Sequence, residues 1–166
     1  MEISQSGKRN IHHNKHIEVA MRKITEIIIH CTATKEGVEV HEKDIDRWHR
    51  KKGWNGCGYH YVITLTGERE GGRAEAVVGA HTIGHNQTSI GVVYVGGLDK
   101  TGKAKDTRTP QQEYALLELC RELIAKYPNA RLSGHNQWAH KSCPCFDVPK
   151  WAAANGLPYD ATINRV

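Results

Sequence analysis

The chain has 166 residues, which at about 100–200 residues per domain makes one domain, able to bury about two-thirds of its unfolded surface. Hydrophobic residues make up 39% and charged residues 25%, the mean hydropathy is −0.59, and the apolar residues gather in short runs, which excludes wholesale disorder and membrane insertion. The balance of 23 Lys and Arg against 18 Asp and Glu gives +5, but the basic residues are scattered and not interleaved with aromatics, so no nucleic-acid partner is expected.

Five cysteines without regular spacing argue against a disulfide framework, and Met1 to Met21 has no apolar core of a secretory signal. The expected location is therefore the cytoplasm of the producing cell. The compositional anomaly is the 11 histidines.

Residues 1–22 read as a polar N-terminal arm, a solvated tail in which His12, His13 and His16 can bind metal only weakly; the domain proper is expected over 23–166. Ile24 to Thr32 is a β-branched run suited to a strand buried on both faces, followed by polar turn residues Thr34 to Gly37. His30 then sits near the end of a central strand.

Val40, Ile45 and Trp48 predict a helix over 40–52, stopped by Gly53, with His41 and His49 solvated. Gly58 to Leu65 predicts a second strand, and Thr66-Gly67 a turn into a return over Glu68 to Val78. After the loop HTIGHNQT comes a third apolar strand, Ser89 to Val95, closed by Gly96-Gly97. Thr109-Pro110-Gln111-Gln112 is a capping box with proline at the first helical position. It opens a helix with the stripe Leu116, Leu119/Cys120, Leu123 and Tyr127, ended by Pro128. Ala130 to Ser133 predicts a last strand and Pro149 to Asn155 a short terminal helix. The expectation is an α/β domain, a sheet covered by helices on its faces, without internal repeat.

Three places join a metal-ligating residue to a strand end or loop: His30 in IIIHCTAT, His135 in LSGHNQ and Cys143 in KSCPCFD. A catalytic zinc needs three protein ligands and one open position, and two imidazoles with one thiolate meet that need. Taken alone, the spacing is weak, and a lone histidine after an apolar strand is more often a hydrogen-bonded core or rim residue than a ligand.

Taken in order, IIIHCTAT, GWNGCGYHYVI, VVGAHTIGHNQTSIGVVYVGG and GHNQWAHKSCPCFDV resemble the zinc-dependent N-acetylmuramoyl-L-alanine amidases of type 2. That family includes bacteriophage endolysins and peptidoglycan recognition proteins. The likeness runs from about Ile24 to Trp151. It implies a single domain with a central mixed β-sheet flanked by α-helices, and Zn2+ held by His30, His135 and Cys143. It also implies catalytic roles for Tyr59, beside the metal, and Lys141, two residues before the ligand cysteine. Zinc-activated water would attack the amide between the lactyl group of N-acetylmuramic acid and L-alanine of the stem peptide. Lys141 would stabilise the oxyanion, and Tyr59 would orient the water or relay a proton. The matched motifs hold no Asp/Glu pair suited to glycoside cleavage.

By the same resemblance His81, His85 and Asn86 border the substrate groove and, with Trp138, are candidate substrate contacts; plain loop structure or a buried anchor is the alternative reading. His60 alternates away from Tyr59, towards a core hydrogen bond. His140 is a rival metal ligand. Cys145 stands where the family has a small residue, and with Cys57 and Cys31 leaves open a disulfide or an alternative sulfur ligand. A trans Cys143–Pro144 step would turn Cys145 away. The partner implied is peptidoglycan or muropeptide, met by a monomer after release or delivery from the cytoplasm. The competing reading is a non-catalytic muropeptide-binding module of the same fold, which would typically have lost a zinc ligand.

Overall fold

The computed structural model describes residues 21–163. The polar arm with His12, His13 and His16 lies outside them, except for Met21 and Arg22. Arg22 belongs to the domain, because its guanidinium donates to the carbonyls of Glu75, Asn86 and Ser89 at 2.7–3.2 Å.

Strands β1 (Glu26–Cys31), β3 (Tyr61–Ile63), β4 (Arg69–Gly71), β5 (Ser89–Tyr94) and β7 (Arg131–Gly134) form one sheet in the order β4-β3-β5-β1-β7. All neighbours are parallel except the antiparallel edge strand β4. A two-stranded parallel pair, β2 (Thr34–Lys35) with β6 (Gly97–Leu98), extends beyond the ends of β1 and β5. Those segments read as turns in the sequence, since two residues are too few to carry an alternating pattern. Helices α1 (Glu42–Lys51), α2 (Pro110–Lys126) and α3 (Val148–Ala154) complete the domain.

Strand alternation divides the core in two. Ile27, Ile29 and Cys31 of β1 join Ile63, Ile90, Val92, Tyr94 and Leu132 on the face covered by Leu116, Leu119, Cys120 and Leu123 of α2 and by Val148 and Ala152 of α3. Val62, Val93 and Val95 turn the other way, to Val40 and to Ile45 of α1. The predicted capping box of α2 is present: Gln112 N–H donates to Thr109 Oγ1 at 3.1 Å, and Thr109 N–H to Gln112 Oε1 at 3.0 Å. Such a cap is worth about 1 kcal/mol, and the Gln112 amide also donates to Val95 O, tying the helix start to β5.

Helix α1 corrects one expectation. Its buried residues are Ile45 and His49, one turn apart, while Trp48 is 37% exposed. His49 is therefore not solvated; its Nδ1 accepts the Gly58 N–H at 2.8 Å. His41 sits at the helix start, bonded through Nδ1 to Glu70 at 2.7 Å.

The candidate metal centre and its cleft

The site lies at the carboxyl ends of the parallel strands, where open α/β sheets place their ligands. His30, one residue before the end of β1, is fully buried and lies on the α1 side of the sheet, in register with Val93. β1 and β7 pair Ile29 with Gly134, so the next residue of β7's chain, His135, emerges beside His30. It begins a single turn of 3-10 helix, His135–Gln137, held by Gly134 N–H donating to Gln137 Oε1 at 2.8 Å and by the Gln137 amide donating to Asp160 O and Thr162 O.

Cys143 comes from the following loop. Its backbone partner Pro144 receives the Tyr94 hydroxyl, and Cys145 N–H closes a turn onto Ser142 O at 2.7 Å. The Cys143–Pro144 bond is cis rather than trans, and Cys145 nevertheless points away from the centre: its Sγ lies 3.8 Å from Cys31 Sγ. All five cysteines are free thiols.

One ligand atom each from His30, His135 and Cys143 lie within 4.8 Å of one another. A tetrahedral zinc with bonds of roughly 2.0–2.3 Å asks for ligands about 3.5 Å apart, so the trio is near the required spacing. The donor chemistry fits as well. Burial, with His81, His135 and Lys141 nearby, holds His30 well below its ordinary pKa and so neutral. Burial and then Lys141 push His135 down to about 4. Cys143 is shifted towards thiolate by hydrogen bonding with Cys31, thiol first and backbone N–H after, against the opposing effect of burial. That N–H donates to Cys143 Sγ at 3.3 Å. His140, the rival ligand, is exposed and outside the cluster.

Tyr59 joins the centre, its ring centroid 5.1 Å from that of His30 and 5.6 Å from that of His49. The segment leading to it is pinned at every residue. Cys57 N–H donates to Asp46 Oδ1 at 2.9 Å, Gly58 N–H to His49, and Tyr59 O accepts from Arg73 N–H. Gly58 is required there, because a Cβ would stand 2.2 Å from Ala80 O. Burial, then the thiols of Cys143, Cys31 and Cys57, raise the Tyr59 pKa, so the phenol stays a neutral proton donor.

An open cleft of about 500 Å³ lies over this centre, lined by His135, Trp138 and Lys141 together with His81, Asn86, Ile83 and Trp54. Lys141 is exposed and Ile83 almost wholly so.

The four candidate substrate contacts separate. Asn86 is a loop staple whose Oδ1 accepts both the His81 and Thr82 N–H groups at 2.9 Å. His85 pairs with Glu26 at 2.7 Å and stacks on Trp138, centroids 4.3 Å apart. Trp138 is also anchored, donating Nε1–H to Ser133 Oγ at 2.9 Å, yet it still lines the cleft. His81 bonds to His30 itself, Nδ1 to Nε2 at 2.8 Å. His60 makes the expected core bonds, accepting from Gly91 N–H at Nδ1 and so donating from Nε2 to Val77 O. Sequence reasoning missed His49 and Thr82, whose Oγ1 lies 3.3 Å from His30 Nε2. Nothing in their spacing marks them.

A family model described as N-acetylmuramoyl-L-alanine amidase matches residues 20–146. The endolysin of Escherichia phage T7 is 42% identical over 142 residues, 85% of this chain and 94% of that one. Among solved structures, the N-acetylmuramoyl-L-alanine amidase LysC from Clostridium intestinale URNW has a TM-score of 0.71 at 29% identity, over 82% of this chain and 87% of its own. The X-ray structure of bumblebee PGRP-SA follows with 0.69 and 27%, over 84% and 85%. Strand order, site and these likenesses agree that the chain belongs to the N-acetylmuramoyl-L-alanine amidase family.

Proposed function

We propose that this amidase works through one zinc ion held by His30, His135 and Cys143, with Tyr59 and Lys141 acting on the substrate. As a member of its family the chain is a peptidoglycan hydrolase, cleaving the amide between the lactyl group of N-acetylmuramic acid and L-alanine of the stem peptide. The observation that supports the zinc reading is the convergence of two imidazoles, both held neutral, and a thiol shifted towards thiolate at the floor of the cleft. When bound, zinc supplies Lewis acidity that polarises the scissile carbonyl and activates water.

The protein's own groups do the rest. Lys141, lining the cleft with His135, offers a cation where negative charge develops on the amide oxygen. Tyr59, neutral and packed against His30, orients the attacking water or passes a proton to the departing L-alanine amine. Trp138 and Asn86 shape the groove that receives the muropeptide.

The three donors stand together with Tyr59 and Lys141, which favours turnover over a purely binding module. Among the described residues no helix is long and apolar enough to cross a membrane. We read the place of action as the cell wall, reached by release during lysis or by delivery, and the working form as a monomer. Mass spectrometry of peptidoglycan digested with and without a zinc chelator tests the reading. Free stem peptides with a new L-alanine amino terminus, abolished by chelator and without new reducing sugar ends, are expected; reducing ends without new alanine amines would overturn it.

A further inference from the structure

We infer that His81 is a positioning residue for the metal centre, acting through His30 by fixing its tautomer and ring orientation, and not a substrate contact. The inference rests on the proposed metal site.

His30 Nδ1 is the nitrogen turned towards Cys143, 3.8 Å from its Sγ. A nitrogen that ligates a metal carries no proton, so the proton of the neutral ring belongs on Nε2. That atom lies 2.8 Å from His81 Nδ1, its nearest partner, which we assign as the acceptor, with Thr82 Oγ1 beside both at 3.3 Å from His30 Nε2 and 3.0 Å from His81 Nδ1. His81 in turn carries its proton on Nε2 and donates to Ser89 Oγ at 3.2 Å. The result is a directed relay, His30 to His81 to Ser89, in which each tautomer dictates the next. Outer partners of this kind typically tune metal affinity 10- to 100-fold.

The surroundings are shaped for this ring. A Cβ on Gly91 would stand 2.6 Å from His81 Cδ2, and one on Gly79 2.7 Å from the same atom. Two glycines thus leave the space that the imidazole fills over the sheet. From the loop side, Asn86 Oδ1 fixes the backbone N–H groups of His81 and Thr82, so the ring is held at both ends of its reach. His81 also lines the cleft, but with both ring nitrogens engaged inside the protein it has no free polar atom to offer a substrate there.

Zinc affinity of the metal-free protein, measured by competition with a chromogenic chelator, tests this alongside its melting temperature in EDTA. His81→Ala should bind zinc about 10- to 100-fold more weakly than wild type while its metal-free melt stays cooperative. His81→Asn, whose Oδ1 can stand in for Nδ1, should recover most of the loss, and Ser89→Ala should weaken zinc by a smaller factor. Wild-type zinc affinity in His81→Ala together with a raised KM would overturn the inference in favour of substrate contact. Should His81→Ala fail to fold, Ser89→Ala decides, and unchanged affinity there counts against the relay. Failure of the wild type to take up one zinc would remove the metal centre itself, a result distinct from any variant effect.

Discussion

The hydroxyl of Tyr94 donates to the carbonyl of Pro144 at 2.6 Å, so a fully buried side chain at the end of β5 holds the loop that presents Cys143. Removing the hydroxyl leaves a carbonyl inside the protein without its partner, which costs about 1–3 kcal/mol. Tyr94→Phe should therefore lower the melting temperature by roughly 2–12 °C, at about 2–4 °C per kcal/mol for a domain of this size. Calorimetry of the two proteins checks it, and coincident melts would mean that the loop is held by its other contacts.

The ligand assignment makes a sharper demand. His30→Ala, His135→Ala and Cys143→Ala should each lose bound zinc, and exposed His140→Ala should keep it. Metal analysis after gel filtration reads this directly. Full zinc in His30→Ala and Cys143→Ala with loss in His140→Ala would reverse the assignment.

The strands and helices were legible because they obey local rules. The β-branched run of β1, the capping box of α2 and the apolar stripe below it announce their elements without tertiary knowledge. His30, His135 and Cys143 could be named from four ordered motifs. The residues around them could not: His49 looks like any polar residue at a helix end until Gly58 is seen to need its acceptor. His81 lines the cleft as expected, but its bond to His30 spans 51 positions and is set by the register of β1 against β5, which no local window contains. His85 and Trp138 face the same limit, each occupied by a partner distant in sequence or by the other.

Tyr59 and Lys141 are expected to separate chemistry from folding. Tyr59→Phe keeps the ring that packs on His30 and His49, and Lys141→Ala removes an exposed cation, so both should keep zinc and a cooperative melt. Each should lose roughly one to three orders of magnitude in rate, the size of an acid/base or oxyanion partner. Normal turnover by both variants would remove their catalytic roles while leaving the metal centre standing.

The histidines set a pH dependence whose sign follows from their burial. In the metal-free protein His30, His49, His60, His81 and His135 all have lowered pKa values, burial being the first cause in each, with His135 at about 4 and His81 at about 3. The folded chain keeps these rings neutral while the unfolded chain takes up protons at its ordinary 6.5. Between those limits the unfolded state binds more protons, so stability rises with pH. The contribution is fully present above 6.5 and is lost as pH falls from there through the folded values. Carboxylates held below their ordinary range, such as Glu75 bonded by Lys126, Tyr127 and Tyr61 against the effect of burial, act in the same sense only below about 4.5. In the interval from 6.5 to 4.5 the five histidines therefore dominate, opposed by Glu42, which burial and then Asp46 and Glu70 raise above its ordinary value. Urea unfolding of EDTA-treated protein at pH 7.5, 6.5, 5.5 and 4.8 should show a midpoint that falls modestly over the first step, where the unfolded rings are only partly protonated, and more steeply with each further one. A midpoint independent of pH down to 4.8 would mean that these rings are not held neutral in the fold, and with that the electrostatic preparation of His30 and His135 as metal ligands would be lost.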